Sequence, residues 1–305
     1  MNNEVRSWLE YLKQVCSLSD ATIRSYQNDV AAWYTFLDSR KTDYKNAVRN
    51  DARAFVSSMS GSHMSPSTIN RRLSALRNYY EWLKRNNKTG SRENPFSESK
   101  SVKKSRKLPG FLSYGEIEKF LDSAGTDFTG RRDRFLFELL YSTGCRVSEI
   151  CSLNVTDLSE NQIRIKGKGG KERIVFAGKS AMEAYKAYIP FRNEKAADDS
   201  DSKAALFLDL RGKRLTSRGV YYLVRKYSAK TGTVKKVSPH TFRHSFATHI
   251  LDEGADIRVV QEMLGHSSLS TTQIYTHTGI ERIKRVYRSS HPHAKGQTQT
   301  GGKNV

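Results

Sequence analysis

QIRIKGKGGKERIVF, residues 162–176, is the stretch that distinguishes this chain from a purely helical protein. Apolar and polar side chains alternate in two short runs, and the glycine-rich segment 167–170 joins the runs. A two-residue period interrupted by such a turn predicts a β-hairpin. The rest of the chain has mostly the period of helices, and ALFLDL, residues 205–210, is a candidate for one more short strand. The predicted fold class is mainly α with a small β-hairpin or sheet in the C-terminal half.

The first hundred residues are predicted to be helical. SDATIRSYQNDVAAWYTFLDS (19–39) and SPSTINRRLSALRNYYEWLKRNN (65–87) space their apolar residues by threes and fours, which places them on one helix face. Ser65 is a suitable cap for the second helix, with Pro66 in its first turn. The apolar positions are Ile23, Tyr26, Val30, Trp33 and Leu37 in the first helix and Ile69, Leu73, Leu76, Tyr80 and Leu83 in the second.

The segment ENPFSESKSVKKSRKLPGFL (93–112) is predicted to connect two domains, because it has two prolines, few apolar residues and a run of cations. We expect a helical domain over residues 1–95, a basic linker over 96–108 and a second domain over 109–290. The second domain opens with the capping box Ser113 to Glu116, and Gly144 ends its next helix. Residues 291–305 are expected to form a disordered tail.

The charge of the chain points to a polyanionic partner. Lys and Arg number 52 against 31 Asp and Glu, a formal net charge of +21. Cations that neutralise phosphates release counterions and so favour binding, which makes nucleic acid the expected partner. A merely solvated surface is the alternative. Membrane insertion is not expected, because no apolar run approaches the roughly 20 residues that a span needs.

The N-terminus and the cysteines indicate a cytoplasmic protein. MNNEVRSWLEYLKQ (1–14) contains two acids and no uninterrupted apolar run, so it does not resemble a signal peptide. Three scattered cysteines are too few for a disulfide framework, and we expect them to be small buried apolar residues.

Two clusters of cations are candidates for contacts with a phosphate backbone. One is a helix face of residues 65–87 with hardly an acid on it, whereas solvated faces normally mix both signs. The other is the basic linker. The candidates are Arg71, Arg72 and Arg77 on the helix and Lys103, Lys104 and Arg106 in the linker.

Two features of the second domain suggest phosphate chemistry. Arg146 directly follows the helix that Gly144 ends, and Glu149, one turn later, can hold its guanidinium. Lys168 lies at the hairpin tip between glycines, where it is suited to donating a proton. An ordinary surface Arg–Glu pair and a plain basic turn are the alternatives. No helix follows the glycines, so a nucleotide-binding P-loop is not predicted.

SPHTFRHSFATHI (238–250) places His240 and Arg243 on one helix face, three residues apart. His240 and His244 have the spacing of half a zinc site. However, the metalloprotease pattern needs a glutamate after the first histidine, where this chain has Thr241. No metal site is therefore expected.

His266 and Tyr275 lie in LGHSSLSTTQIYTH (264–277) among small hydroxyl residues. A buried, hydrogen-bonded tyrosine is the common alternative to a nucleophilic one. The candidates together can break a phosphodiester without a metal ion. Two arginines hold the non-bridging oxygens, a lysine protonates the leaving oxygen, and histidines activate the phenol. The candidate catalytic residues are Arg146, Lys168, His240, Arg243, His266 and Tyr275.

The chain resembles the tyrosine site-specific recombinases, the phage integrase family. STGCRVSEICSL (142–153), GKGGKERIVF (167–176) and the segment 238–277 are similar to the family's signature segments, in the same order. They are most similar to the Xer branch, the bacterial chromosome-dimer resolvases, as is RSSHPHA (288–294). The resemblance implies an N-terminal core-binding, SAM-like domain and a C-terminal catalytic domain that form a C-shaped clamp on DNA.

The resemblance also implies a role for each candidate. Tyr275 would form a 3′-phosphotyrosyl link and free a 5′-hydroxyl, while Arg146 and Arg243 hold the scissile phosphate. Lys168 would be the general acid toward the leaving oxygen. The remaining roles concern His240, which would assist proton transfer at Tyr275, His266, which would hydrogen-bond the phosphate, and Glu149, which matches the family's supporting acid.

The family's biology supplies further expectations. The protein would cut and rejoin double-stranded DNA at a dif-like site through a Holliday junction, without metal or ATP. It would work as a homo- or hetero-tetramer, with a paralogous recombinase and a DNA translocase as candidate partners. The helix GIERIKRVYRSS (279–290) would dock on a neighbouring subunit or pack on its own domain. A mobile-element integrase and a non-catalytic DNA-binding protein remain alternatives.

Overall fold

The structure is a computed structural model that describes residues 2–88, 93–103, 110–167, 172–265 and 277–294, with only the backbone described for 277–281. The chain forms two compact units, Met1–Lys107 and Leu108–Val305. Each unit has its own hydrophobic core. Within the described ranges, no helix combines the length and the apolar character that crossing a membrane requires.

The first unit consists of helices that begin where the sequence offers caps. The Ser19 hydroxyl accepts from the Thr22 backbone N–H at 3.3 Å, and that of Ser65 accepts from Thr68 at 3.1 Å, which satisfies donors that a helix start leaves unpaired. The predicted cap at Ser65 is thus confirmed. The helices are α1 (Asn3–Gln14), α2 (Asp20–Ser39), α3 (Arg49–Gly61) and α4 (Pro66–Arg85).

Aromatic side chains dominate the core of the first unit. The Trp33 indole N–H donates to the Tyr80 hydroxyl at 2.9 Å, and that hydroxyl donates to the Tyr44 carbonyl at 2.9 Å. These buried polar atoms therefore have partners, as burial demands. The predicted apolar faces are confirmed: all five positions of α4 are buried, as are Val30, Trp33 and Leu37 of α2, while Ile23 and Tyr26 are half-buried against the core.

The first unit extends beyond the predicted boundary at residue 95. Phe96 is fully buried in its core, and Arg77 donates to the Phe96 carbonyl at 3.2 Å and to the Ser99 carbonyl at 2.9 Å. The Asn70 amide exchanges hydrogen bonds with the backbone of Val102 at 2.7 and 2.9 Å. The expectation of a linker from residue 96 is therefore wrong for residues 96–103. The polar composition of this segment suggested a linker, although Phe96 within it packs in the core.

The second unit is helical around one small sheet, as predicted. Its helices are α5 (Tyr114–Asp122), α6 (Phe128–Thr143), α7 (Val147–Ser152), α8 (Lys179–Lys195), α9 (Ser200–Ala204), α10 (Ser217–Lys230), α11 (Pro239–Asp252), α12 (Ile257–Leu264) and α13 (His277–Ser290). Short 3-10 helices span Val155–Asp157 and Pro292–Ala294, and the strands are β1 (Leu158–Ser159), β2 (Gln162–Lys166) and β3 (Glu172–Phe176).

The hairpin of residues 162–176 is present as antiparallel strands β2 and β3, and β1 adds a short third strand beside β2. The register pairs Ile163 with Val175 and Ile165 with Arg173. The candidate strand at 205–210 forms only single bridges, from Ala205 to Asn154 and from Leu208 to Arg214. That expectation is corrected, because no neighbouring strand extends either bridge into a ladder.

Helix α6 is the centre of the second unit. Its side chains are buried from Phe135 to Thr143, and α5, α8 and α11 pack against it. The predicted capping box starts α5, where the Ser113 backbone N–H donates to Glu116 at 2.7 Å. Gly144 ends α6 with φ +58°, as predicted for a helix-terminating glycine. A Cβ there would come within 2.5 Å of the Phe246 ring.

The C-terminal part of the chain packs on its own unit. Ile283 and Tyr287 of α13 are buried against a cluster that includes Phe246 and Met263. The predicted disordered tail from residue 291 is wrong for residues 291–294. His291 is buried, and the His293 Nδ1 lies 2.8 Å from the Glu138 Oε2. The packing of these rings offsets the conformational entropy that the segment loses when it becomes ordered.

Candidate active site

The end of α6 and the start of α7 place Arg146 beside an acid. Arg146 is the N-cap of α7, and its backbone N–H donates to the Glu149 Oε2 at 2.8 Å. Its Nη1 donates to the Glu149 Oε1 at 3.0 Å, so the predicted contact is present. The Arg146 side chain remains 41% exposed, which leaves part of the guanidinium accessible to a ligand.

A third residue, Arg173, was missed by the sequence analysis. Its guanidinium is buried and forms two parallel hydrogen bonds with the Glu149 carboxylate, at 2.9 and 2.8 Å. Burial alone would raise the pKa of Glu149, but the hydrogen bonds and charge of Arg173 and the bonds from Arg146 outweigh it, so the pKa lies below its usual value. Glu149 is therefore an anion between two arginines.

Arg243 projects from α11 toward the same region. Its Nη1 donates to the Gly144 carbonyl and its Nη2 to the Leu264 carbonyl, each at 2.8 Å. The Arg146 Nη2 donates to the next carbonyl, that of Gly265, at 3.3 Å. Burial, with the nearby charge of Arg146, lowers the pKa of Arg243 to about 10, and the group stays a cation at neutral pH. The structure thus brings Arg146 and Arg243 together.

His240 lies one turn before Arg243, in the first turn of α11, and its side chain is exposed. Ser238 and Pro239 begin this helix as expected, with the Ser238 N–H donating to the Thr241 hydroxyl at 3.0 Å. His249 is instead part of the core, with its Nδ1 2.9 Å from the Tyr141 hydroxyl. Among the residues that the structure describes, no cluster of His, Cys, Asp or Glu has an arrangement that holds a metal.

Three predicted catalytic residues, Lys168, His266 and Tyr275, lie outside the described residues. Each of these three residues nevertheless lies within a few positions of a described segment in the sequence. Lys168 belongs to the connection between β2 and β3, and His266 directly follows Gly265. Tyr275 precedes the start of α13 by two residues. Their roles remain predictions.

The predicted DNA-contacting cations of α4 also have partners inside the protein. Arg71 and Arg72 both donate to the buried carboxylate of Asp29 on α2, and Arg77 donates to backbone carbonyls. The side chain of Arg71 is still 40% exposed. Of the cations predicted to lie in the linker, Lys103 is exposed, while Lys104 and Arg106 lie outside the described residues. The predicted one-signed face of α4 is therefore partly neutralised by Asp29 of α2, which the sequence of α4 alone does not show.

Helix α10 offers a basic face that the sequence analysis did not select. Arg218, Tyr222, Arg225 and Lys226 are exposed, and the helix contains no acid. One-signed charge with an exposed aromatic ring is typical of surfaces that bind nucleic acid. The signal was available in the sequence, because SRGVYYLVRKYSAK (217–230) has several cations and a single buried stripe.

Residues 111–282 match the sequence profile of the phage integrase family, and residues 5–87 match the phage integrase N-terminal SAM-like domain. The chain belongs to the phage integrase family, the tyrosine recombinases. The resemblance inferred from the signature segments is therefore confirmed, and with it the prediction of a site-specific recombinase that transfers DNA strands.

Individual relatives and solved structures agree with the family assignment. The tyrosine recombinase XerC of Thermodesulfovibrio yellowstonii is 40% identical over 299 residues, which cover 95% of this chain and 97% of that protein. XerD of Oceanobacillus iheyensis is 37% identical over 294 residues, covering 95% and 98%. The XerH recombinase in a post-cleavage complex with its palindromic difH substrate has a TM-score of 0.70 at 26% identity, covering 92% of this chain and 84% of that one.

Proposed function

We propose that this recombinase cleaves one strand of double-stranded DNA with Tyr275 and rejoins it to a partner strand, with Arg146 and Arg243 holding the scissile phosphate. The observation that carries the proposal is the convergence of these two guanidiniums on the Leu264 and Gly265 carbonyls. Carbonyl oxygens are weaker acceptors than phosphate oxygens. These two cations lie beside the backbone that leads to His266. Together they would form a binding site for a phosphodiester.

The chemistry is a transesterification. A bond forms between the Tyr275 phenolic oxygen and phosphorus, and the bond to the 5′-oxygen breaks. The two arginines offset the charge that grows on the non-bridging oxygens, and such preorganised donors typically supply a large part of catalysis. Lys168 delivers a proton to the departing 5′-oxygen, while His240 accepts the phenolic proton and His266 hydrogen-bonds the phosphate. Rejoining reverses these steps with a new 5′-hydroxyl.

We propose that each unit carries its own DNA-contacting cations. In the second unit they include the exposed cations of α10, and in the first unit the exposed parts of Arg71 and Arg72 and the basic segment with Lys103, Lys104 and Arg106. The net charge of +21 supports a duplex as the partner. We propose that the protein acts in the cytoplasm, where the chromosome lies.

The biological role that fits best is the resolution of chromosome dimers at a dif-like site, by a tetramer on two duplexes with this chain alone or beside a paralogue. The support is that XerC and XerD proteins match over nearly the whole chain. A role in a mobile element uses the same chemistry and remains the second candidate. A DNA translocase is a further candidate partner.

Covalent trapping tests the function. The recognition sequence is first selected by the wild-type protein from a pool of random-sequence duplexes. The substrate is then a suicide duplex of that sequence, nicked so that the cleaved fragment diffuses away. We expect a protein–DNA adduct from the wild type and none from Tyr275→Phe. Tyr11→Phe, the same change on α1, should retain the adduct. Binding without any adduct from the wild type would leave a DNA-binding protein, and an adduct through another residue would refute the assignment of Tyr275.

A further inference from the structure

Arg173 occupies an unusual position for a cation. It faces Ile165 in the register of β3 with β2, on the side of the sheet where Ile163 and Val175 are buried. Its side chain is only 7% exposed. Arginine is almost never buried without a partner, because removing its charge from water costs several kcal/mol. The position therefore needs an explanation in its contacts.

Those contacts converge on Glu149. Each carboxylate oxygen of Glu149 accepts one hydrogen bond from Arg173 and one from Arg146: Oε1 from the two side chains at 2.9 and 3.0 Å, and Oε2 from the Arg173 Nη2 and the Arg146 backbone, both at 2.8 Å. All four bonds together fix the plane of the carboxylate. The direction of the Arg146 guanidinium is set by that plane.

The charges lead to the same conclusion. A buried carboxylate needs a counter-ion. If Arg146 were the only counter-ion of Glu149, the positive charge of Arg146 would be neutralised by Glu149. The parallel pair with Arg173 is the stronger geometry, because Arg146 gives Glu149 a single side-chain bond. With Arg173 as the dedicated counter-ion, Arg146 keeps its charge for a phosphate.

Arg173 also contacts the end of α12. Its Nε donates to the Met263 carbonyl at 3.4 Å, and a Cβ added to Gly265 would come within 3.2 Å of its guanidinium. Gly265 has φ +66°, a left-handed conformation that glycine adopts readily. The backbone that leads to His266 thus lies directly against Arg173, which connects β3, α7 and α12.

We infer that Arg173 is a positioning residue of the recombinase: it holds Glu149 so that Arg146 keeps its direction and its charge for the scissile phosphate. The inference rests on the proposed function, in which Arg146 binds that phosphate. Arg173 acts through Glu149 and does not touch DNA. The cost of losing it therefore depends on the charge of the phosphate that Arg146 must bind.

The test compares cleavage of the suicide duplex with a normal scissile phosphate and with a methylphosphonate, in which a methyl group replaces one charged oxygen. With the phosphate, Arg173→Met should release the 5′-hydroxyl strand about 100-fold more slowly than wild type. With the methylphosphonate, the deficit should shrink to about tenfold or less, because less charge needs offsetting. Arg164→Met, which removes an exposed arginine from β2, is the matched control and should cleave both substrates like the wild type.

A double-mutant cycle adds a second measurement. If Arg173 acts through Glu149, the double variant Glu149→Gln, Arg173→Met should be no slower than the slower single variant. Equal deficits on both substrates, or losses that multiply in the double variant, would overturn the inference. If Arg173→Met does not fold, Arg173→Lys, which keeps the charge without the parallel pair, gives the same substrate comparison. Absence of any adduct from the wild type would instead refute the proposed function.

Discussion

Arg146 and Arg243 donate to consecutive backbone carbonyls, those of Gly265 and Leu264, at the C-terminal end of α12. The end of a helix leaves carbonyls without intrahelical partners and carries partial negative charge. The two guanidiniums are therefore held by weak acceptors that a phosphate can replace. In the proposed function, this arrangement orients both cations before DNA binds, which would reduce the reorganisation that cleavage requires.

Arg243→Lys should slow strand cleavage by at least about 100-fold, because an ammonium cannot hold the Gly144 and Leu264 carbonyls and a phosphate together. DNA affinity should change by less than about tenfold, since the phosphate backbone is bound by many cations. Single-turnover cleavage and equilibrium binding measure the two quantities. Arg211→Lys, at an exposed position, is the control. A cleavage rate near that of the wild type would contradict the proposal that Arg243 holds the scissile phosphate.

Lys168→Ala should slow cleavage of a normal strand far more than that of a strand with a 5′-bridging sulfur. Sulfur leaves without a proton, so a missing general acid matters little there. Rates on the two substrates, measured side by side with Lys166→Ala as the control, test the role. An equal defect on both would remove Lys168 from proton donation.

Arg77→Met should destabilise the first unit by about 2 kcal/mol, because the Phe96 and Ser99 carbonyls lose a charged donor. The three tryptophans of the chain, Trp8, Trp33 and Trp82, all lie in this unit. Urea unfolding followed by tryptophan fluorescence therefore reports on it selectively. Arg53→Met, on the exposed side of α3, should change stability little. Unchanged stability with weaker DNA binding would assign Arg77 to DNA contact instead.

Stability of the second unit should fall with acid because of His291. Burial, reinforced by His293, lowers the pKa of His291 to about 3, whereas the unfolded chain binds that proton near pH 6.5. Between these values the unfolded state holds more protons. The stabilisation present above pH 6.5 is therefore lost as the pH drops, by up to about 1.4 kcal/mol per pH unit.

Hydrogen exchange of the α6 amides at pH 7 and pH 5, corrected for intrinsic rates, measures this dependence. His291→Phe keeps a ring in the site and should flatten the pH dependence. His63→Phe, at an exposed position in the first unit, should not. The same slope in His291→Phe as in the wild type would show that other groups carry the acid sensitivity.

The fold class followed from local patterns. Helical spacing, caps and one change of period were sufficient for α2, α4 and the β2–β3 hairpin, because each depends on neighbouring residues. The structure brings Arg146, Glu149 and Arg243 together and leaves His240 exposed one turn before Arg243, and the catalytic roles of these residues stay predictions. Asp29 and Phe96 could not be assigned in the same way, because their partners come from distant helices.

The position of Arg173 in the strand could be predicted from the sequence, but its partner could not. In ERIVF (172–176) Arg173 lies on the inward-facing side of the strand, the same side as Val175 two residues later. A cation at an inward position of a short strand predicts a buried acid nearby. Identifying Glu149 as that acid required the packing of α7 against the sheet, which no local pattern encodes.

The docked segment His291–Ala294 has a practical consequence for handling the protein. A Cβ on Gly178 would come within 2.4 Å of the His293 carbonyl, so the segment lies tightly over the start of α8. Trimming the chain at residue 290 would strip the imidazole from Glu138 and open a hole beside Tyr141. Affinity tags should therefore be fused downstream of Ala294, and proteolytic clipping before His291 should be monitored as a route to aggregation.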